Sequence, residues 1–147
     1  MERILIDADK CVGCKSCSIA CMLSHTPCSS IHDLDLTDPR LESRNTILLD
    51  SDMKYKPLFC RHCDRPECVV SCMSGAMAKD PGSGHVGYDP GRCGQCFMCV
   101  MNCPYGVLKP DRATRSYVVK CDFCLDSDKG PNCVRMCPKR AIYVKEV

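Results

Sequence analysis

Cysteine is the residue type whose number and spacing point most directly to chemistry in this sequence. Seventeen of the 147 residues are cysteine, and sixteen of these fall into four groups of four. Thiolates bind zinc and iron–sulfur clusters, and two thiols can also form a disulfide. The groups and spacings are Cys11, Cys14, Cys17 and Cys21 (C-x2-C-x2-C-x3-C); Cys60, Cys63, Cys68 and Cys72 (C-x2-C-x4-C-x3-C); Cys93, Cys96, Cys99 and Cys103 (C-x2-C-x2-C-x3-C); and Cys121, Cys124, Cys133 and Cys137 (C-x2-C-x8-C-x3-C). Cys28 lies outside the groups, and we interpret it as a free thiol.

The spacing favours iron–sulfur clusters over the two alternatives, zinc sites and disulfides. Three closely spaced cysteines can surround one cuboidal cluster, and a fourth cysteine followed by proline is typical of a ligand to a second cluster. Structural zinc sites instead use two C-x2-C pairs that are separated by a dozen or more residues. An odd number of cysteines does not fit complete disulfide pairing. The sequence therefore predicts four [4Fe–4S] clusters with iron bound through the sixteen grouped cysteines, and we expect the fourth cysteine of each group to begin a short helix.

The composition agrees with a fold that is organised by metal rather than by a large apolar core. The chain has no Trp, five Tyr and three Phe, which is a small aromatic content for a domain of this length. The net charge is +2 without a basic stripe, so nothing favours binding to nucleic acid. Residues 1–10 lack the apolar run of a secretory signal, and no stretch approaches the about 18 apolar residues of a membrane helix. These patterns predict a cytoplasmic protein without direct membrane insertion, where dense cysteine indicates metal.

The segments between the groups predict which groups belong together. Residues 75–80 and 85–89 are short extended runs on either side of the turn Pro81-Gly82-Ser83-Gly84, which indicates a β-hairpin between groups two and three. A bacterial ferredoxin module has the same layout of quartet, strand, turn, strand and quartet. Groups two and three are therefore expected to form one module, residues 56–110.

Groups one and four are then expected to form a second module from residues 1–27 plus 111–147. The runs Ile4–Ile6 and Ala141–Val144 flank these groups and have the composition of short strands that pair with each other. Residues 28–55 are predicted to be an inserted loop and a hairpin. The predicted fold class is α+β, with two bacterial-ferredoxin-like modules, one nested inside the other, around a small cluster-organised core. Sequential pairing, of group one with two and of group three with four, is the alternative at this point.

The nested arrangement predicts the ligands of each cluster, because the last cysteine of each group binds the neighbouring cluster. The predicted ligand sets are Cys11, Cys14, Cys17 and Cys137 for cluster 1; Cys121, Cys124, Cys133 and Cys21 for cluster 2; Cys60, Cys63, Cys68 and Cys103 for cluster 3; and Cys93, Cys96, Cys99 and Cys72 for cluster 4.

Other side chains beside the cysteines carry weaker signals. His62 lies inside group two, but that group already has four cysteines, so we expect His62 to pack or to form a hydrogen bond rather than to bind iron. Methionines next to the cysteines are expected to line the clusters and exclude water; they are Met22, Met73, Met98, Met101 and Met136. No nucleophile–base arrangement and no phosphate-binding glycine loop is present, so no catalytic residues are predicted and the chain is not expected to be an enzyme.

The order of the four groups, together with two sequence motifs, resembles a known family. The motifs are CRHCDRPECVVSCMSGAMAKDP and GQCFMCVMNCPYGV. They resemble the four-cluster [4Fe–4S] ferredoxin-type subunits of molybdopterin oxidoreductases, formate dehydrogenases and hydrogenases. Within that family they look most similar to the iron–sulfur protein associated with carbon monoxide dehydrogenase. This resemblance implies the nested pairing, four [4Fe–4S] clusters in a chain and a protein partner at each end.

The function that the resemblance implies is electron transfer. Single electrons would pass from a carbon monoxide dehydrogenase through the four clusters to a hydrogenase or a flavin/NAD(P) oxidoreductase. One alternative is an electron-transfer subunit of a formate dehydrogenase or hydrogenase complex. Another, from a different class, is an iron–sulfur regulatory or assembly protein.

Overall fold

Four antiparallel strand pairs and four short helices make up the fold. The computed structural model describes residues 1–147 and has the mixed helix and strand content that the sequence predicts. The elements are β1 (Glu2–Ile6), α1 (Ser16–Ser24), β2 (Thr46–Leu49), β3 (Tyr55–Leu58), α2 (Glu67–Val70), β4 (Met77–Lys79), β5 (Val86–Tyr88), α3 (Met98–Met101), β6 (Lys109–Pro110), β7 (Val118–Val119), α4 (Asn132–Arg135) and β8 (Ile142–Glu146).

The first and last strands pair with each other, which confirms the expectation for the two terminal runs. β1 and β8 are antiparallel, with Ile4 opposite Val144 and Ile6 opposite Ile142. Ile4 and Ile142 are both buried. They lie on the same face of the strand pair, because alternate residues of a strand point to the same face. This pairing brings the two ends of the chain together beside cysteine groups one and four.

The two predicted hairpins are also confirmed. β4 pairs with β5 between groups two and three, and β2 pairs with β3 ahead of group two. The Asp80 carboxylate accepts hydrogen bonds from the backbone N–H groups of Gly82 and Ser83, both at 2.7 Å, and so holds the turn between β4 and β5. A fourth pair, β6 with β7, was not predicted.

Each helix begins one residue before the third cysteine of a group, so the expectation that the fourth cysteine begins it is wrong. The second helical residue is Cys17 in α1, Cys68 in α2, Cys99 in α3 and Cys133 in α4. The third and fourth cysteines are four residues apart, which is close to the 3.6 residues of one helical turn. A turn of helix that starts at the third cysteine therefore brings the fourth to the same side.

The helices pack in two pairs, and the apolar core is correspondingly divided. α1 contacts α4, and α2 contacts α3. One small core contains Ile4, Phe59, Phe123, Cys133 and Ile142. The other contains Cys60, Met77, Cys99, Val107, Leu108 and Val118. The longest helix, α1, has nine residues, and none of the helices has the length and hydropathy required to cross a bilayer.

Candidate iron–sulfur sites

Three cavities of similar size are each lined by four of the grouped cysteines. Each is a small, partly open cavity with a mostly apolar lining. In each cavity three cysteines come from one group and one comes from a different group. The cysteines are Cys11, Cys14, Cys17 and Cys137 in the first cavity; Cys121, Cys124, Cys133 and Cys21 in the second; and Cys60, Cys63, Cys68 and Cys103 in the third.

The remaining four grouped cysteines lie around α3. Burial raises the pKa of the Cys99 thiol, and the neighbouring Cys72 and Cys93 add to this shift. Cys99 lies in a small core against which Cys72 packs, whereas Cys96 is exposed. Cys28 is half-buried, and its thiol donates a hydrogen bond to the carbonyl oxygen of Asp33 at 3.5 Å.

The cysteine loops share a backbone conformation that a glycine marks in the sequence at only one position, Gly13. In every group the residue directly before the second cysteine has a positive φ: Gly13 (68°), His62 (44°), Gln95 (57°) and Phe123 (62°). A left-handed residue turns the chain sharply and directs N–H groups inward. The N–H groups of Gln95 and Phe123 lie 3.4 Å from the sulfur atoms of Cys93 and Cys121.

Backbone N–H groups donate to other cysteine sulfurs as well. Arg44 donates to Cys21 at 3.2 Å, Ala141 to Cys137 at 3.3 Å and Met77 to Cys72 at 3.4 Å. Such hydrogen bonds stabilise thiolates and tune the reduction potential of a bound cluster. The donor pattern therefore fits thiolate ligands better than neutral thiols.

The buried thiols need a metal to become thiolates. Burial raises the pKa of Cys17 and Cys68 to about 11 and that of Cys133 to about 12, so these thiols are protonated at neutral pH when no metal is bound. A bound cation supplies the charge that favours deprotonation. Four cysteine sulfur donors around one cavity are the ligand set that a [4Fe–4S] cluster requires.

His62 lies in the wall of the third cavity, and its contacts confirm that it packs and forms a hydrogen bond. The ring is buried, and Nδ1 accepts a hydrogen bond from the Val86 N–H at 3.0 Å. The ring proton is therefore on Nε2, which has no protein acceptor. A buried N–H without a protein partner fits a wall that faces the sulfur atoms of a cluster.

A charged group beside the second cavity was missed by the sequence analysis. Asp122 accepts a hydrogen bond from His25 Nε2 at 3.1 Å and forms an ion pair with Arg44. Burial is the largest effect and opposes the charged imidazole, but the hydrogen bonds to Asp122 and to the sulfur and carbonyl oxygen of Cys21 together outweigh it and raise the pKa of His25 to about 9. The two residues are 97 positions apart, so no local spacing signals this contact.

The expectation that the methionines beside the cysteines shield the clusters is wrong for four of the five, whereas Met22 is half-buried. Met73 is 94% exposed and Met101 is 77% exposed, and Met98 and Met136 are also on the surface. Adjacent residues of a helix point in directions about 100° apart, so a methionine next to an inward-facing cysteine turns towards solvent.

Comparison with known proteins agrees with this site chemistry. A 4Fe-4S dicluster domain matches residues 51–147, and a 4Fe-4S binding domain matches residues 2–23. The electron transport protein HydN of Escherichia coli (strain K12) is 33% identical over 160 residues, covering 97% of this chain and 87% of HydN. The NADH-dependent phenylglyoxylate dehydrogenase subunit beta of Aromatoleum evansii is 34% identical over 141 residues, covering 96% of this chain but only 29% of that subunit.

A solved structure is similar over almost the whole chain. In the active-site complex BamBC of benzoyl coenzyme A reductase with benzoyl-CoA, one chain is 27% identical and has a TM-score of 0.54, covering 99% of this chain and 79% of that chain. Together with the matched domains and HydN, this places the present chain among iron–sulfur subunits of redox systems. The chain belongs to the 4Fe-4S dicluster ferredoxin family of electron-transfer proteins.

Proposed function

We propose that this electron-transfer protein relays single electrons through four [4Fe–4S] clusters between two protein redox partners. The observation that carries the proposal is the set of three cavities, each lined by three cysteines of one group and one of another. The proposed ligands are the sixteen cysteines in the four sets that the nested arrangement predicts. When bound, a [4Fe–4S] cluster accepts and returns one electron.

The proposed nested arrangement is supported by helix and strand contacts. α1 and α4 contain cysteines of groups one and four, and these two helices pack together. α2 and α3 contain cysteines of groups two and three, and they also pack together. Pairing of β1 with β8 closes the proposed outer module, residues 1–27 plus 111–147. Pairing of β4 with β5 lies within the proposed inner module, residues 56–110.

The proposed clusters form a continuous series because the two modules meet at cysteines. Cys60 is a buried member of the core that also contains Cys99, and Cys121 packs against that core. Cys121 lines the second cavity and Cys60 the third. Electrons would therefore cross between the modules from cluster 2 to cluster 3. The chain itself supplies the hydrogen bonds to sulfur and the exclusion of water, and it contributes no catalytic residues.

For the donor, we propose a carbon monoxide dehydrogenase, with a hydrogenase or a flavin/NAD(P) oxidoreductase as acceptor. The two motifs that contain groups two and three support this donor by their resemblance. A formate dehydrogenase or hydrogenase complex is the alternative setting. The dense free cysteines support a reducing compartment, and we propose the cytoplasm.

Metal analysis and rapid kinetics test these proposals separately. Anaerobically prepared protein should contain about sixteen iron atoms and about sixteen acid-labile sulfides per chain. Zinc, or much less iron, would contradict the four-cluster proposal. Mixing with a carbon monoxide dehydrogenase and CO in a stopped-flow instrument should bleach the cluster absorbance within one turnover. Absence of bleaching, with full iron content, would contradict the proposed donor and leave the relay intact.

Co-purification separates the alternative settings. A nickel–iron–sulfur enzyme that co-elutes with the protein supports the proposed donor, and a molybdenum or tungsten enzyme supports a formate dehydrogenase complex. A regulatory or assembly protein would instead have labile clusters that no catalytic partner reduces.

A further inference from the structure

Lys120 is a buried cation that connects the two proposed modules. Its side chain is only 5% exposed. The ammonium group donates one hydrogen bond to the carbonyl oxygen of Val86 on β5 and another, at 2.7 Å, to the carbonyl oxygen of Cys121. Val86 belongs to the inner hairpin and Cys121 to group four, so Lys120 lies where the two modules adjoin.

No carboxylate neutralises this charge. Four other lysines, which are all more exposed, have a carboxylate nearby: Lys79 is 3.8 Å from Asp64, Lys109 is 4.0 Å from Glu42, and Lys10 and Lys56 pair with aspartates. Two carbonyl oxygens satisfy hydrogen-bond donors of Lys120 but leave its net charge uncompensated. A buried ammonium without a counter-charge is strongly unfavourable, so negative charge must be close to it when the protein is assembled.

Two of the proposed clusters are in position to supply that negative charge. Lys120 directly precedes Cys121, and its ammonium group is hydrogen-bonded to the carbonyl oxygens of Cys121 and Val86. Cys68 lines the third cavity and Cys121 the second, and Val86 lies in the wall of the third. A [4Fe–4S] cluster with four thiolate ligands carries a net charge of about −2 in its oxidised form.

We propose that Lys120 raises the reduction potentials of clusters 2 and 3 relative to those of clusters 1 and 4. Reduction adds one negative charge to a cluster, and a fixed positive charge close by stabilises the reduced form. The electron step between the modules then passes through the two clusters whose reduction the Lys120 charge favours. This inference rests on the cluster assignment proposed above.

The test is an anaerobic redox titration followed by electron paramagnetic resonance on the complete protein. Lys120→Met removes the charge and keeps a similar side-chain volume, while Lys120→Arg keeps the charge. We expect Lys120→Met to change the reduction equilibrium of two clusters by about tenfold towards the oxidised form, or about 59 mV for a one-electron couple. The other two clusters should change much less, and Lys120→Arg should retain potentials close to those of the unaltered protein.

Lys79→Met is the matched control. Lys79 Nζ donates to the carbonyl oxygens of Cys63 at 3.1 Å and Asp64 at 3.0 Å, so it also lies beside the third cavity, but it has a carboxylate nearby and is more exposed. Solvent and Asp64 screen its charge, and we expect less than a threefold change in any cluster. Unchanged potentials in Lys120→Met, with full iron content, would overturn the proposal and leave Lys120 as a structural link only.

Iron and sulfide content separate this inference from the proposed function. If the unaltered protein lacks about sixteen irons, the four-cluster proposal fails before the titration begins. If Lys120→Met loses iron, Lys120→Gln offers a neutral side chain that still donates a hydrogen bond. Loss of clusters 2 and 3 alone in both neutral variants, with retention in Lys120→Arg, supports the charge requirement. Loss of all four clusters in every variant, including Lys120→Arg, overturns it.

Discussion

The outer segments, residues 1–27 plus 111–147, and the inner segment, residues 56–110, bring their cysteines together in different ways. In the inner segment, β4 and β5 are three residues long and are joined by one turn, and α2 and α3 have four residues each. In the outer segments, β1 and β8 are five residues long and come from opposite ends of the chain, and α1 has nine residues. Local contacts thus organise the inner segment, whereas the outer segments need a longer strand pair to hold distant parts of the chain together.

The two small cores differ in how many cysteines they contain. The core formed by Ile4, Phe59, Phe123, Cys133 and Ile142 contains one cysteine. The other core contains two buried cysteines, Cys60 and Cys99, and four further cysteines pack against it. Loss of bound clusters should therefore disturb more of the second core, which also contains Met77 of β4.

Removal of iron should have the largest effect and should show this difference. We expect apoprotein that is prepared without iron to lack a cooperative thermal transition, because the apolar core is small and the buried thiols lose their metal. Amide hydrogen exchange should be fastest in β4 and β5 and slower in β1 and β8. A sharp calorimetric transition in the apoprotein would contradict this prediction.

Replacement of the last cysteine of a group should have the next largest effect, because it removes one ligand of one proposed cluster. We expect Cys137→Ser to impair the cluster that is bound by Cys11, Cys14 and Cys17, and to leave the set that contains Cys133 intact. Cys103→Ser is the matched inner variant and should impair only the set that contains Cys60. Iron content should fall by at most about four atoms per chain in each variant. If Cys137→Ser instead removed signals from groups two and three, the nested assignment would be wrong.

Truncation of a buried side chain in the terminal strand pair should have a more moderate effect on stability. Ile142 is buried against Ile4, and we expect Ile142→Ala to destabilise the protein by about 3 kcal/mol through lost burial and the resulting cavity. The midpoint of anaerobic thermal unfolding should fall by several degrees. Tyr143→Ala is the control, because Tyr143 is the neighbouring residue on the same strand and is 42% exposed. Equal effects of the two substitutions would show that the buried face of β8 is not what stabilises the outer segments.

The smallest effects are expected from substitution of the residue that precedes the second cysteine in groups one and three. Gly13 and Gln95 both precede the second cysteine and have φ values of 68° and 57°. The Tyr55 ring occupies the space that a Cβ atom at Gly13 would need. Gly13→Ala should therefore strain the first cavity and cost about 1–2 kcal/mol, whereas Gln95→Ala should cost much less because a side chain is already accommodated there. Cluster loss during a slow anaerobic thermal ramp measures the difference, and equal rates in the two variants would contradict it.

Local sequence patterns predicted the hairpins and the terminal strands because turn residues and β-branched runs act over a few positions. Asp80, Pro81 and Gly82 form a turn wherever the flanking strands can pair, and Ile4 and Ile142 favour burial in strands. The start of each helix was predicted wrongly because the cysteine spacing shows that one helical turn fits but not at which cysteine it begins. His62, Gln95 and Phe123 adopt the left-handed backbone conformation although none of them is glycine, so no local sequence signal marked their conformation.

The amino-acid sequence alone specifies the number and grouping of the cysteines, because the spacing of sulfur atoms along a chain is a covalent property. The tertiary structure alone decides which polar groups are removed from water. The burial of Lys120 depends on Val86, and the ion pairs of Asp122 depend on His25 and Arg44, all of which are distant in sequence. The energy of a charge depends on everything packed around it, and that environment forms only when these segments meet.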